Sequence, residues 1–497
     1  MAGRPQRTPF SRVFTIEDGA GPSHIPIYQS LGRAQSPSWD GGDVTPIYAP
    51  SEEAYGLFDV VDTVRGAQGL PQLSLQFYYQ QELSEMLRLF RKRCPFDAQV
   101  HMGTCRNPAD FNGGWTKILA LEEAVITSWG ADELGALEPG EDAKINENVP
   151  LVGQNMYEIR RVIPAEFGGT QVVQEVVDII VCDSQQCGEC GISSDGCQVI
   201  FALTLSAGGS PGLPAEIIYS PDAGTTLGDR NVTTLGAAEN PDALACIGPY
   251  LVVISEDSCS LHYALAADVL TETETWTEVA TGFVSPTGCP RAMFSAGSRF
   301  TWIVGLAGYV YFTANPTTGV TVQNAGIATS QNLNAVHGVD ELNVVAVGAL
   351  NAVIYTTNGG TTWTAVTGPA VGVALNAIWM KSETEWLVGA ANGRLYYTTN
   401  GGTTWTEKAF PGSGSGAVED IAFSTKTVGW MSHTLAGLGR ILRTVDGGYS
   451  WALIPETGTG PLNDRINELA ACAENPNIVF GAGLGDNAVD GFLVKAA

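Results

Sequence analysis

Apolar and polar positions alternate at a period of two along most of the chain, which predicts strands. Leu333–Val339 and Asn343–Ala349 both read this way. Val353 and Tyr355 then alternate into Asn358-Gly359-Gly360, and Thr361-Thr362-Trp363-Thr364 follows. The two glycines supply positive φ and the asparagine amide can bond the turn backbone, so this segment predicts a hairpin with a packed tryptophan. Further strands are expected at 57–64, 70–79, 96–103, 117–128, 156–163 and 171–182. One window has a different period: Gln81–Arg93 places Leu83, Met86, Leu87 and Phe90 on one face, with Arg91, Lys92 and Arg93 suited to a helix C-terminus. It predicts a helix.

The hairpin repeats. Tyr355 to Thr364 recurs unchanged at Tyr397 to Thr406; Arg443-Thr444-Val445-Asp446-Gly447-Gly448-Tyr449-Ser450-Trp451 keeps the frame, and Tyr219 to Leu227 keeps it with leucine for tryptophan. Degenerate copies fall at Thr275-Trp276-Thr277 and Phe312 to Val320. With Leu227, Trp276, Val322, Trp363, Trp405 and Trp451 as equivalents, the steps are 49, 46, 41, 42 and 46 residues. That is the period of a four-stranded propeller blade. The turn resembles the Asp-box of sialidase-like and sortilin-like propellers, and its Asn-Gly-Gly-Thr-Thr-Trp form resembles photosystem II assembly-factor repeats. The resemblance covers about 193–497 and implies a β-propeller, with seven blades preferred to six. A segment such as Val199 to Leu205 is expected to complete the last unit, Ile466 to Val494, and so close the ring.

The predicted fold class is therefore mainly β: an extended arm over 1–50, a β-sandwich with one helix over 51–181, a four-cysteine linker over 182–197 and a propeller over 198–497. With 59 glycines and 26 prolines in 497 residues and only 15% charged residues, a helical bundle is excluded. The net charge of −27 opposes nucleic-acid binding through counterion release. No window approaches the length of a membrane span and no secretory signal is visible, which predicts synthesis in the cytoplasm.

Little catalytic chemistry is legible. A sialidase-like site needs three convergent arginines, but Arg230, Arg291, Arg299, Arg394, Arg440, Arg443 and Arg465 fall at unrelated blade positions. His24, His101, His262, His337 and His433 form no metal-binding or nucleophile-activating motif. Asp222, Asn358, Asn400 and Asp446 are expected to serve the turn. No catalytic residue, no cofactor and no enzyme activity are predicted. Cys182, Cys187, Cys190 and Cys197 can surround a structural zinc ion, form two disulfides or stay as thiols. Cys246, Cys259, Cys289 and Cys472 read as core residues. Trp379, Trp386 and Trp430 are candidates for stacking on sugars, against the commoner role of core residues.

In element order the first 190 residues resemble a tail tube protein of long-tailed bacteriophages. That resemblance implies a virion protein whose homo-oligomeric rings stack around an acidic lumen through which DNA passes transiently. Asp59, Asp62, Glu122 and Glu123 are candidate lumen acids. Other tail proteins would be partners, and the propeller would be an outward decoration for host-surface glycans. The alternatives are a non-viral propeller that binds or assembles a protein partner, and a sialidase-like glycan hydrolase.

Overall fold

In a computed structural model the chain divides into two compact units, Met1–Val162 and Ile163–Ala497. In the first unit the nine strands are described; in the second, 170–172, 175–182 and most of 197–496. The expected helix 81–93, the strand at 57–64, His24, Asp59, Asp62, Cys187 and Cys190 lie outside the described residues.

In the first unit β1 (Phe10–Glu17), β2 (Ile27–Ala34), β3 (Ser38–Asp40), β4 (Gln72–Tyr78), β5 (Phe96–Gly103), β6 (Trp115–Ile126), β7 (Gly130–Leu134), β8 (Ile145–Val152) and β9 (Asn155–Arg160) form one sheet. Its pairings run from β1 through β2, β4, β8, β6 and β5 back to β1. Within the segment expected as an arm, β1 and β2 pair with each other and β1 pairs with β5. The long loop expected over 132–150 contains most of β8, which satisfies its backbone against β4 and β7. Glu122 and Glu123 lie on β6.

The second unit is a β-propeller. It opens with β10 (Thr170–Val172). Blade one is β11 (Val176–Cys182), β12 (Val199–Thr204), β13 (Glu216–Ser220) and β14 (Gly228–Asn231). Blade two is β15 (Ala243–Ile247), β16 (Tyr250–Ser255), β17 (Ser260–Leu265) and β18 (Thr277–Val279). Blade three is β19 (Pro290–Ala296), β20 (Phe300–Gly305), β21 (Tyr309–Thr313) and β22 (Thr321–Ala325). Blade four is β23 (Leu333–Gly338), β24 (Val344–Gly348), β25 (Ala352–Thr356) and β26 (Thr364–Thr367). Blade five is β27 (Leu375–Met380), β28 (Trp386–Ala390), β29 (Leu395–Thr398) and β30 (Thr406–Lys408). Blade six is β31 (Ala417–Phe423), β32 (Gly429–Leu435), β33 (Leu438–Thr444) and β34 (Ala452–Leu453).

Beyond these six blades, β35 (Arg465–Ala471), β36 (Val479–Leu484) and β37 (Gly491–Ala496) take β10 as their outer strand and form a closing sheet between blade six and blade one. The closing strand is thus Thr170–Val172. Val199–Thr204, the segment expected there, is the second strand of blade one, and β11 belongs to that blade rather than to the front domain. A segment ahead of the first blade can reach the outer edge of the last sheet and remove an exposed strand edge.

Each junction between neighbouring sheets has its own apolar cluster, so the core is distributed around the wheel. The box tryptophans fill these junctions from one side. Trp363, Trp405 and Trp451 pack into the junction with the preceding blade, and Leu227 and Trp276 do the same in blades one and two. In blade three the position belongs to Val320, 8% exposed, whereas Val322, expected there, is 44% exposed. Val320 lies just ahead of β22, where the chain leaves the turn, and Val322 lies within the strand.

The turn itself behaves as the residues dictate. Asn358 Oδ1 accepts from Thr356 Oγ1 and Thr362 N, both at 3.0 Å, while its amide donates to Thr362 Oγ1 at 2.9 Å. Gly359 and Gly360 hold φ of 66° and 84°, a region that a Cβ disfavours. Asn400 repeats the arrangement, and Asp222 and Asp446 accept the same bonds as carboxylates.

Candidate binding site at the inner rim of the wheel

The first strand of every blade is the innermost, so one of its edges meets the next sheet rather than a hydrogen-bonded neighbour. Its backbone groups still need partners. Six first strands answer with a bulge at an equivalent position, over 176–178, 290–292, 333–335, 375–377, 418–420 and 466–468. An extra residue re-aims its side chain along the rim. Arg291 Nη1 donates to Asn334 Oδ1 at 3.2 Å, Asn334 Nδ2 to Leu375 O at 3.0 Å, and Asn376 Nδ2 to Val418 O at 3.3 Å. Arg465 pairs with Glu419 at 3.1 Å, and Asn467 Nδ2 donates to Glu175 Oε1 at 3.2 Å.

The residue after the bulge separates the two sides of the rim. Blades three to five carry Ala292, Ala335 and Ala377, whereas blade six, the closing sheet and blade one carry Asp420, Glu468 and Asp178. Asp178 accepts from Ile179 N at 2.7 Å and, across the junction, from Leu244 N at 2.6 Å. Asp420 accepts from Ile421 N at 2.7 Å and across its junction from Leu469 N at 2.9 Å. Glu468 hydrogen-bonds to the Asp420 carboxyl.

Burial pushes the Asp178 carboxyl up to about 7, opposed by its two N–H donors. Burial also raises Asp420 and, with Asp420 and Asp178 as negative neighbours, Glu468 most of all. A carboxyl–carboxyl hydrogen bond needs a proton, and Glu468 is the group that keeps it.

At the other end of the first strands aromatic rings cross the junctions. Phe294 lies 4.6 Å from His337, His337 3.9 Å from Trp379, and Trp379 5.5 Å from Phe423. His337 Nδ1 accepts from Met380 N at 3.2 Å, and burial drives its pKa down to about 3, so the ring is a neutral acceptor. Of the sugar-stacking candidates, Trp386 and Trp430 are fully buried core residues, and Trp379 is built into this aromatic run.

The remaining candidates do not converge. Arg230 pairs with Glu272, Arg291 with Glu256, Arg394 with Glu407 and Arg465 with Glu419, while Arg443 donates to Pro476 O at 2.8 Å and covers Trp430. Buried His262 lies between Thr234 Oγ1 and Ser260 Oγ, and His433 meets Ser415 O.

The cysteine expectations are corrected. Cys197 is bonded to Cys472, so the four-thiolate zinc set loses a member, and Cys182 faces the opposite, blade-two side of its sheet. Cys259 and Cys289, expected as separate core residues, are bonded across the junction of blades two and three. Among the described residues no group of three or more His, Cys, Asp or Glu is placed to hold a metal ion. No described helix is long and apolar enough to cross a membrane.

The acid trio was missed from sequence, although each member stands directly before two apolar residues in a blade-opening strand: Val-Val-Asp178-Ile-Ile, Val-Glu-Asp420-Ile-Ala and Ile-Asn-Glu468-Leu-Ala. An acid recurring at one place in successive blade-opening strands was the available signal.

No protein-family model and no curated protein matches the chain. Among solved structures, YCF48 bound to D1 peptide is similar at 14% identity and a TM-score of 0.48, over 67% of this chain and 97% of that one. YCF48 from Cyanidioschyzon merolae is similar at 16% identity and 0.48, over 66% and 98%. Virginiamycin B lyase from Staphylococcus aureus is similar at 9% identity and 0.49, over 66% and 98%.

Proposed function

We propose that the chain is a binding protein whose wheel engages a protein partner through one loop face, without catalysis. The observation that carries this reading is a pair of uncovered apolar side chains, Ile327 at 87% and Leu350 at 62% exposure, in one loop cluster of blades three and four. Asn332 ties the cluster together, accepting from Ala307 N through Oδ1 at 3.0 Å and from Ala349 N through its carbonyl at 2.8 Å. Large apolar groups held outward on fixed loops suit capture of an apolar segment of another protein. The dispersal of the arginines into separate contacts speaks against a sialidase-like hydrolase.

A tail-tube role has no observation behind it. The element order that suggested it includes a helix, 81–93, that lies outside the described residues.

The test is a displayed random-peptide library screened against the full chain and against an Ile327→Asp, Leu350→Asp variant with unchanged far-UV circular dichroism. A peptide class enriched by the parent and lost by the variant is expected. Equal enrichment by both, no enrichment, or turnover of sialylated or polymeric glycans by the purified chain would overturn the reading.

A further inference from the structure

Cys197 follows β11, and Cys472 follows β35, 275 positions later; their Cα atoms stand 5.8 Å apart and both residues are fully buried. They sit in the apolar cluster that joins blade one to the closing sheet, with Ile179, Val181, Ile200, Ala470 and Phe480. The cluster is complete only when β35 and β36 have docked on blade one, because its two halves come from opposite ends of the propeller sequence. Three other cysteines, Cys182, Cys187 and Cys190, lie within fifteen residues of Cys197 in sequence. The loop each would close with Cys197 is far shorter, so in an undocked chain loop entropy favours those local pairs.

We propose that closing the wheel and oxidising Cys197 and Cys472 are one coupled step, which makes the finished ring the product of a thiol–disulfide exchange reaction. While the seam is open, one of the two thiolates attacks a small disulfide or a disulfide-bearing oxidoreductase, forming a mixed disulfide and releasing one thiol. Docking of β35–β37 on blade one then brings up the other thiolate, which displaces the second oxidant thiol. Two protein thiols have lost two electrons and two protons, and one disulfide of the oxidant has become two thiols. The departing group leaves as the cluster shuts, and the new bond is sealed from solvent. The chain therefore meets an oxidant of this class before the seam closes, which a reducing cytosol does not provide. Cys259–Cys289, only 30 residues apart, needs no such wait, because blades two and three are neighbours in sequence. The proposal is independent of the binding reading.

The experiment uses the full chain refolded with glutathione disulfide, mapped by non-reducing peptide mass spectrometry, then treated with dithiothreitol without denaturant. A peptide linking Cys197 to Cys472 is expected, together with reduction about ten-fold slower or more in native buffer than in denaturing urea. Hydrogen exchange of a Cys197→Ser, Cys472→Ser variant should quicken about ten-fold or more in β10 and β35–β37 and stay within about two-fold in β23–β30. A map joining Cys197 to Cys182, Cys187 or Cys190 would overturn the proposal. So would reduction at equal rates in both solvents. If the double variant does not fold, the map and the reduction rates on the parent chain still decide.

Discussion

Replacing Glu468 by glutamine should remove the share of the wheel's alkaline instability that Glu468 itself carries. In the folded chain Glu468 donates its proton to Asp420 and has the Asp178 charge nearby. The glutamine amide donates the same bond and cannot ionise. For the parent, the sign follows from the raised carboxyls: between the unfolded value of 3.8 and the folded value of about 7 for Asp178, the native state binds protons that the unfolded chain has released. That stabilisation is complete below the unfolded value and is lost as pH rises through the folded one. Each pH unit by which a carboxyl is raised is worth about 1.4 kcal/mol, and Glu468 is held well above its usual value by burial, Asp420 and Asp178, whereas the rise of Asp178 comes first from its own burial and stays in the variant. Buried neutral histidines act oppositely. His337, driven down to about 3, supplies stability that is present above the unfolded value of 6.5 and lost as pH falls through 3. Because that contribution is common to parent and variant, the difference between them isolates the Glu468 carboxyl. Urea unfolding followed by tryptophan fluorescence from pH 5 to pH 9 should show Glu468→Gln within about 0.5 kcal/mol of the parent at the acid end and about 2 kcal/mol more stable at the alkaline end. Parallel curves would refute the shared proton.

Trp386 is fully buried, lies 5.6 Å from Tyr355 and 6.3 Å from Trp405, and donates to Glu383 O at 3.2 Å, so Trp386→Ala should cost about 3–5 kcal/mol by chemical denaturation. Asn358→Ala should cost about 1–2 kcal/mol in the same assay by stripping three bonds from its turn, whereas Asn358→Asp should cost under about 0.5 kcal/mol, because Asp446 performs the same role in blade six. Arg443→Met should lower the thermal midpoint and loosen the β35–β36 turn, which the guanidinium holds through Pro476 O and Asn477 Oδ1; unchanged hydrogen exchange there would contradict this.

What could be read in advance depended on how local the information was. The hairpin around Asn358 is encoded within ten residues, so its fold, its period and the place of Trp363 were legible. The closing strand Thr170–Val172 is three residues long with no box attached, and its pairing with Phe492 and Leu493 is chosen by ring geometry. The spacing of Cys182, Cys187, Cys190 and Cys197 suggested a local cluster, yet the bond of Cys197 reaches 275 residues away. The rim acids were hidden for a related reason: each looks like an ordinary polar position of its own strand until the strands stand side by side.

The box tryptophans lean one way around the circle. Each inserts into a pocket formed by the blade before it, so a newly synthesised blade finds its socket already built when it leaves the ribosome. Assembly in chain order never leaves an indole waiting for a partner still to be made. Only the final joint must reach back to the beginning, and that is where the fold places a borrowed strand and a covalent bond.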